Sequence, residues 1–346
     1  MSNNWRDLIP NLGGRFADSG ACAFEDSPAA ASQTVAAGPV MVPLTHLGIL
    51  SVTGNDAASF LHNLFTNDVK GIGTSDARRN GLCTAKGRML ASVLMWRKGE
   101  SVLLQMSSDI LPGVLKKLSM YVLRAKAQLA DVSDAVLSLG IGGPAAGEVL
   151  ARAGLPVPGA AMQVTPGDDG VQVIRIEGER FLVVAPGATM AALWPRLSAA
   201  GFRPAGTSAW RWLEAENGIP LVTGPVQEEF VPQMVNFDLI GGVSFTKGCY
   251  PGQEIVARMK YLGKLKKRMF LGHVETESEP APGADLFSPE LDAQSAGKVV
   301  FAAAAPGGGF DVLAVCQLAS READAVTLGA PNGPRLSFRP LPYSLE

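Results

Sequence analysis

The sequence predicts an α+β protein with antiparallel sheet and helices on one side, closing in a small all-β domain. Two observations carry this reading. First, a hairpin followed by a helix is written twice. Second, everything after about Phe270 breaks into short strands without a clear helical period.

The elements follow in order. "SPAAASQTVAAGPV", Ser27 to Val40, is rich in small residues and punctuated by Pro and Gly, so it reads as a linker or mobile loop. "GILSVTGNDAASFLHNLFTNDV" gives a strand, a turn capped by Thr53 or Asn55, and a helix with Phe60, Leu61, Leu64 and Phe65 on one face. "ASVLMWRKGESVLLQM" is a hairpin turning at Lys98-Gly99-Glu100, and a helix follows in "SSDILPGVLKKLSMYVL". "VQVIRIEGERFLVVAP" repeats the hairpin at Glu177-Gly178-Glu179, with its helix in "ATMAALWPRLSAAGF". The Pro- and acid-rich "ETESEPAPGADLFSPE" opens the strand-only region, which reads as a partial barrel; Cys316 alternates with apolar neighbours there and is a core residue. The expected division is an N-terminal segment and linker over 1–42, an α+β region over 43–269 and an all-β domain over 270–346.

Composition narrows the functional classes. With 346 residues, 47% apolar and 18% charged, the chain is a globular protein with a substantial core. A formal net charge of -2 means that nucleic-acid affinity would need a local patch. There is no basic-then-apolar leader and no membrane-length apolar run, so a cytoplasmic protein without membrane contact is expected. The 4 cysteines are scattered with no CxxC pair, and only 3 histidines exist, which argues against a disulfide framework and a metal centre.

The chemistry gathers in "KGCYPGQEIVARMKYLGKLKKR", Lys247 to Arg268. Pro251-Gly252 is a turn, and a helix follows with Ile255, Val256, Met259 and Leu262 on one side and Glu254 spaced i,i+4 from Arg258. Cys249 stands just before that helix with Lys247 two residues upstream, and both dipole and ammonium favour a thiolate. A tight turn with a thiol that merely packs is the competing reading. The segment carries 7 basic residues, with Glu254 its single acid, a run that suits a solvated face, an anionic ligand tail, an acidic partner or RNA phosphates. No other RNA-binding signature, Walker loop or dinucleotide fingerprint is present.

The octet "KGCYPGQE" resembles the YgfZ-type folate-binding proteins, relatives of the aminomethyltransferase (T protein) of the glycine cleavage system. The resemblance runs through "LSVTGNDAASFLHNLFTNDV", "AKGRML", "ENGIP" and "AGKVVF", from about Pro43 to Cys316. It implies a T-protein-like fold of two α+β domains around a central channel, with a C-terminal barrel-like domain. It implies tetrahydrofolate or a derivative as cofactor, with Glu216 of "EAENGIP" accepting hydrogen bonds from the pterin, and it makes Lys247, Tyr250, Gln253 and Arg258 candidate cofactor contacts. Cys249 becomes the candidate redox-active thiol or transient ligand. One departure matters: where T proteins carry an Asp-Asp pair, this chain has Ala91 and Ser92, neither able to exchange a proton as a carboxylate does. The resemblance therefore implies a folate-binding accessory protein that supports maturation or repair of iron–sulfur enzymes. Tetrahydrofolate and those clients are its partners, and tRNA modification is an indirect effect. A folate-dependent one-carbon transferase or demethylase using another acid, and a tRNA-contacting module working through the basic run, are the alternatives.

Overall fold

The computed structural model describes residues 4–17, 20–263, 265–291 and 294–345. The chain forms two compact units that interleave along the sequence: Met1–Ala57, Gly71–Arg78 and Leu94–Trp210 in the first, and Ala58–Lys70, Arg79–Val93 and Arg211–Glu346 in the second.

Both predicted hairpins form, with their turns in the first unit. Met89–Lys98 turns at Gly99 into Ser101–Ser107, pairing from Leu94↔Gln105 to Lys98↔Ser101. Gln172–Arg175 turns through Gly178 into Phe181–Pro186. Both glycines have φ +58, the left-handed conformation that these tight turns need. Each hairpin is followed by its helix, Leu111–Val122 and Gly187–Ala200. The second hairpin belongs to a six-stranded sheet ordered 164–166, 172–175, 181–186, 136–142, 40–43, 203–204, antiparallel except for its last pair. The core against it holds Trp5, Ile9, Met41, Phe181 and Leu197, all buried.

The expected linker is corrected here. Pro28–Ala37 is an α-helix whose N-cap Ser27 accepts a hydrogen bond from the Ala30 N–H, and Val40–Pro43 is a fully buried strand. Ser at the cap, Pro at the first position and alanines thereafter form a sound helix signal. Its weak amphipathic period made it read as loop.

The second unit holds the C-terminal sheet, six antiparallel strands curled into a half-barrel. Its order is 327–328, 285–287, 295–304, 310–317, 267–274, 336–339. Cys316 is buried in its core beside Phe270, Val299 and Val312. One short helix, Leu318–Ala323, interrupts a region that reads as strands alone. Through Leu313 and Val315, the sheet shares a second core with Cys83, Met89, Phe230, Phe237 and Val256. Phe60, Leu61, Leu64 and Phe65 are all buried, but the helix is only Ala57–His62, so Leu64 and Phe65 lie past its end instead of on its face.

Candidate functional site

The second unit brings the sequence-predicted residues into two clusters. The first is built around Cys249. The turn at residues 84–88, at the tip of a β-hairpin, closes with the Gly87 N–H donating to the Thr84 carbonyl at 2.9 Å. Gly252 packs against it: a Cβ on Gly252 would lie 2.4 Å from the Thr84 oxygen and 2.6 Å from Gly87 Cα. Gly252 also has φ +81 and is the N-cap of the helix Gln253–Tyr261. Two quoted motifs, "AKGR" and "KGCYPGQE", therefore meet glycine to glycine, which sets the start of the helix and leaves Cys249 exposed ahead of it.

Lys247 is the post of this turn. Its Nζ donates to the carbonyls of His62 and Phe65 and sits 5.0 Å from the Tyr250 ring centroid. Burial pushes its pKa down to about 8, against the opposing charges of Asp68 and Cys249. A neutral amine still has donors enough for both carbonyls. Tyr250 is buried, and burial first, then nearby Cys83, pushes its phenol up. The Gln253 side-chain amide donates to the Lys247 carbonyl at 3.4 Å. His62 lies 3.1 Å from Asp68, and burial and then Lys247 hold its pKa below the usual value. Lys247, Tyr250 and Gln253 thus shape the turn, while Arg258 stands exposed on the helix.

The other three thiols are buried. Burial raises the pKa of Cys83 and of Cys316 to about 12 each and raises that of Cys22 as well.

The second cluster surrounds Glu216, at the end of its helix. Arg339 NH2 donates to Glu216 Oε1 at 2.6 Å and also lies 2.9 Å from Asp311 Oδ1. Asp311, 3% exposed, further accepts from the Trp212 indole at 2.8 Å and lies 2.8 Å from His273 Nδ1. His273 Nε2 lies 3.2 Å from Glu275. Burial raises the Glu216 pKa; Arg339 opposes that and Asp311 adds to it. Burial pulls His273 down, but its bonds to Asp311 and Glu275 outweigh that and leave it raised. Glu216 thus shares the Arg339 guanidinium with Asp311 rather than meeting the Cys249 turn. The sequence does not mark Trp212, one helical turn before Glu216, nor His273, Asp311 and Arg339, which no short spacing connects to it.

Ala91 is fully buried, and the Ser92 hydroxyl accepts from the Val222 N–H at 2.9 Å, so neither position offers an acid. The basic run is divided in use. Arg268 forms a two-pronged pair with Asp238 at 2.7 and 3.1 Å, Lys266 is exposed, and Lys264 lies outside the described residues. Among the described residues no group of three or more His, Cys, Asp or Glu is arranged to hold a metal, and no helix is long and apolar enough to cross a membrane.

Comparison with known proteins agrees with this architecture. Residues 20–164 match the GCVT N-terminal domain family. The chain is 31% identical over 301 residues to the tRNA-modifying protein YgfZ of Edwardsiella ictaluri, covering 86% of this chain and 90% of that one. It is 31% identical over 248 residues to the tRNA-modifying protein YgfZ of Yersinia enterocolitica, covering 71% and 74%. Among solved structures, the glycine cleavage system aminomethyltransferase T from Bartonella henselae superposes with a TM-score of 0.78 at 19% identity, over 98% of this chain and 96% of that one. At that identity the likeness establishes the fold: this chain has the T-protein fold, with a six-stranded half-barrel at its C-terminus.

Proposed function

Because the chain belongs to the YgfZ family, whose relatives bear the name tRNA-modifying protein, we propose that it is a tetrahydrofolate-binding accessory protein. In this reading it supports maturation or repair of iron–sulfur enzymes, tRNA-modifying enzymes among them, and transfers no aminomethyl group. The observation that supports the reading is a T-protein fold with a buried Ala91 and a Ser92 bonded to the backbone, at the positions where the sequence resemblance places the T-protein acids. General acid–base support of transfer needs a proton-exchanging group in hydrogen-bond reach, and these two side chains supply none.

Glu216 fits a folate as the pterin acceptor. A carboxylate has about four acceptor sites, so the bond from Arg339 leaves capacity for amino and ring N–H groups. Bound folate would supply a one-carbon carrier. The chain's own residues would orient it, with Glu216 held in place by Arg339, which Asp311 anchors in turn. Cys249 is the group presented to a client. Its exposure beside a closely packed glycine turn supports that role, as does the burial of the other three thiols.

The test is calorimetric titration with tetrahydrofolate, run beside an aminomethyl-transfer assay with the other glycine cleavage components. Binding without turnover is expected. Robust turnover would favour the transferase alternative, and absence of binding would remove both folate readings.

A further inference from the structure

The helix Gln253–Tyr261 does not hide its apolar residues as the sequence pattern predicts. Val256 is buried, but Ile255 is 38% exposed, Tyr261 66% and Leu262, just past the helix, 84%. Ile255, Arg258 and Leu262 are spaced i, i+3 and i+7, and Glu254, Arg258 and Tyr261 i, i+4 and i+7, so these residues share the outward face. Tyr261 is braced there by Phe245, with ring centroids 6.2 Å apart and edge on face, while Lys260 Nζ sits 5.3 Å from the Phe245 centroid. Arg258, Lys260 and exposed Lys266 flank the apolar residues, with Glu254 the one acid on the helix. This is a basic, partly aliphatic face on a chain whose net charge is negative.

We infer that the outward face of this helix, continued by Leu262 and Lys266, is a docking surface for an acidic, aliphatic segment of a partner protein. Charge selects the occupant. A second copy meeting the same patch about a two-fold axis would set cation against cation. A single-stranded RNA would use several stacking platforms, whereas this face has one well-exposed aromatic, Tyr261. Tyr and Arg beside apolar side chains match the composition of protein interfaces, and carboxylates on the partner would answer the cations. The helix is about 13 Å long, with Cys249 just ahead of its first turn, so a protein seated on it lies beside the exposed thiol. That the docked protein is a client rests on the accessory function proposed above; the surface itself rests on exposure and charge.

The test uses the full-length chain without folate and two labelled 14-residue helical peptides, one with Leu and Glu on adjoining faces, the other with Lys in place of Glu. A tRNA transcript and anionic phospholipid vesicles serve as competing probes. Amide shifts locate each contact, and fluorescence anisotropy gives its strength. The Glu peptide is expected to bind, to shift amides between residues 254 and 266, and to bind at least tenfold better than the Lys peptide. Leu262→Asp or Lys266→Glu is expected to weaken it at least fivefold with the melting temperature unchanged. Leu123→Asp, at an exposed leucine of the first unit, is expected to leave it intact. No binding of the Glu peptide, binding that ignores Leu262→Asp, or preferential occupation of this helix by tRNA or vesicles would overturn the inference. Folate calorimetry on the same preparation separates the two claims, since peptide binding without tetrahydrofolate binding removes the folate reading and keeps the docking face.

Discussion

Gly252 packs directly on Gly87, so close that a single added methyl group on Gly252 would stand 2.6 Å from the Gly87 backbone. The contact joins a hairpin turn to the N-cap of the helix behind Cys249. It makes the presentation of the thiol depend on the contact of two backbones as well as on the Lys247, Tyr250 and Gln253 side chains.

Gly252→Ala should therefore be costly. The left-handed φ alone costs roughly 1–2 kcal/mol for a residue with Cβ, and the clash with Thr84 and Gly87 adds to it. Gly248→Ala, on the other side of Cys249, has open space around its Cβ and no positive φ, and should change stability by less than about 0.5 kcal/mol. Urea denaturation of the two variants checks this; equal stabilities would mean the turn relaxes freely.

Cys249 should be the thiol that alkylates first. It is exposed, whereas Cys22, Cys83 and Cys316 are buried with raised pKa values and hold less thiolate at neutral pH. Cys249→Ser should leave stability within about 0.5 kcal/mol and abolish support of iron–sulfur enzyme activity in a strain lacking the native protein. Per-cysteine iodoacetamide rates by mass spectrometry, with complementation, decide the matter. Slow labelling together with full complementation would reduce Cys249 to a bystander.

Lys247 gives a pH signature. Its folded pKa, about 8, lies below its ordinary 10.5, so between those values the unfolded chain binds more protons and stability rises with pH. Thermal melts of the wild type across pH 8 to 10.5 should gain relative to Lys247→Met, which lacks the titration and leaves the His62 and Phe65 carbonyls without their donor. Parallel curves would show that the amine is solvated.

His273 gives the opposite slope. Its folded pKa is raised by Asp311 and Glu275 against burial, so its contribution is full below the ordinary 6.5 and is lost as pH climbs through the folded value. His273→Gln should cost stability at pH 5.5 and progressively less toward pH 9. A cost independent of pH would assign the effect to packing.

Arg339 lowers the Glu216 pKa, opposing burial and the nearby Asp311, which together leave it raised. Arg339→Met should raise the Glu216 pKa further, measurable by carbon-detected NMR titration, and should make tetrahydrofolate binding weaken toward acidic pH. An unmoved carboxyl titration would show that the 2.6 Å contact is not sustained in solution.

The sequence by itself determined the hairpins and the burial of Phe60, Leu61 and Cys316, and it marked the Cys249 segment as a candidate site. Those rest on local rules: a Gly that can adopt positive φ at a turn, a period of 3.6 or 2, and a motif of contiguous residues. The helix at Pro28–Ala37 was equally local, but its small side chains gave no amphipathic period to separate it from a loop. Tertiary structure alone decided which apolar residues of the Gln253–Tyr261 helix go inward, because periodicity marks a stripe without saying how much of it another element covers. It alone brought His273, Asp311 and Arg339 to the helix end that carries Trp212 and Glu216, for these three are dozens of positions away, and strand pairing in the half-barrel is what aligns them. A side chain's charge state depends on that assembled surrounding, since burial and the nearest opposite charge set it, and neither is written in the neighbouring letters of the chain.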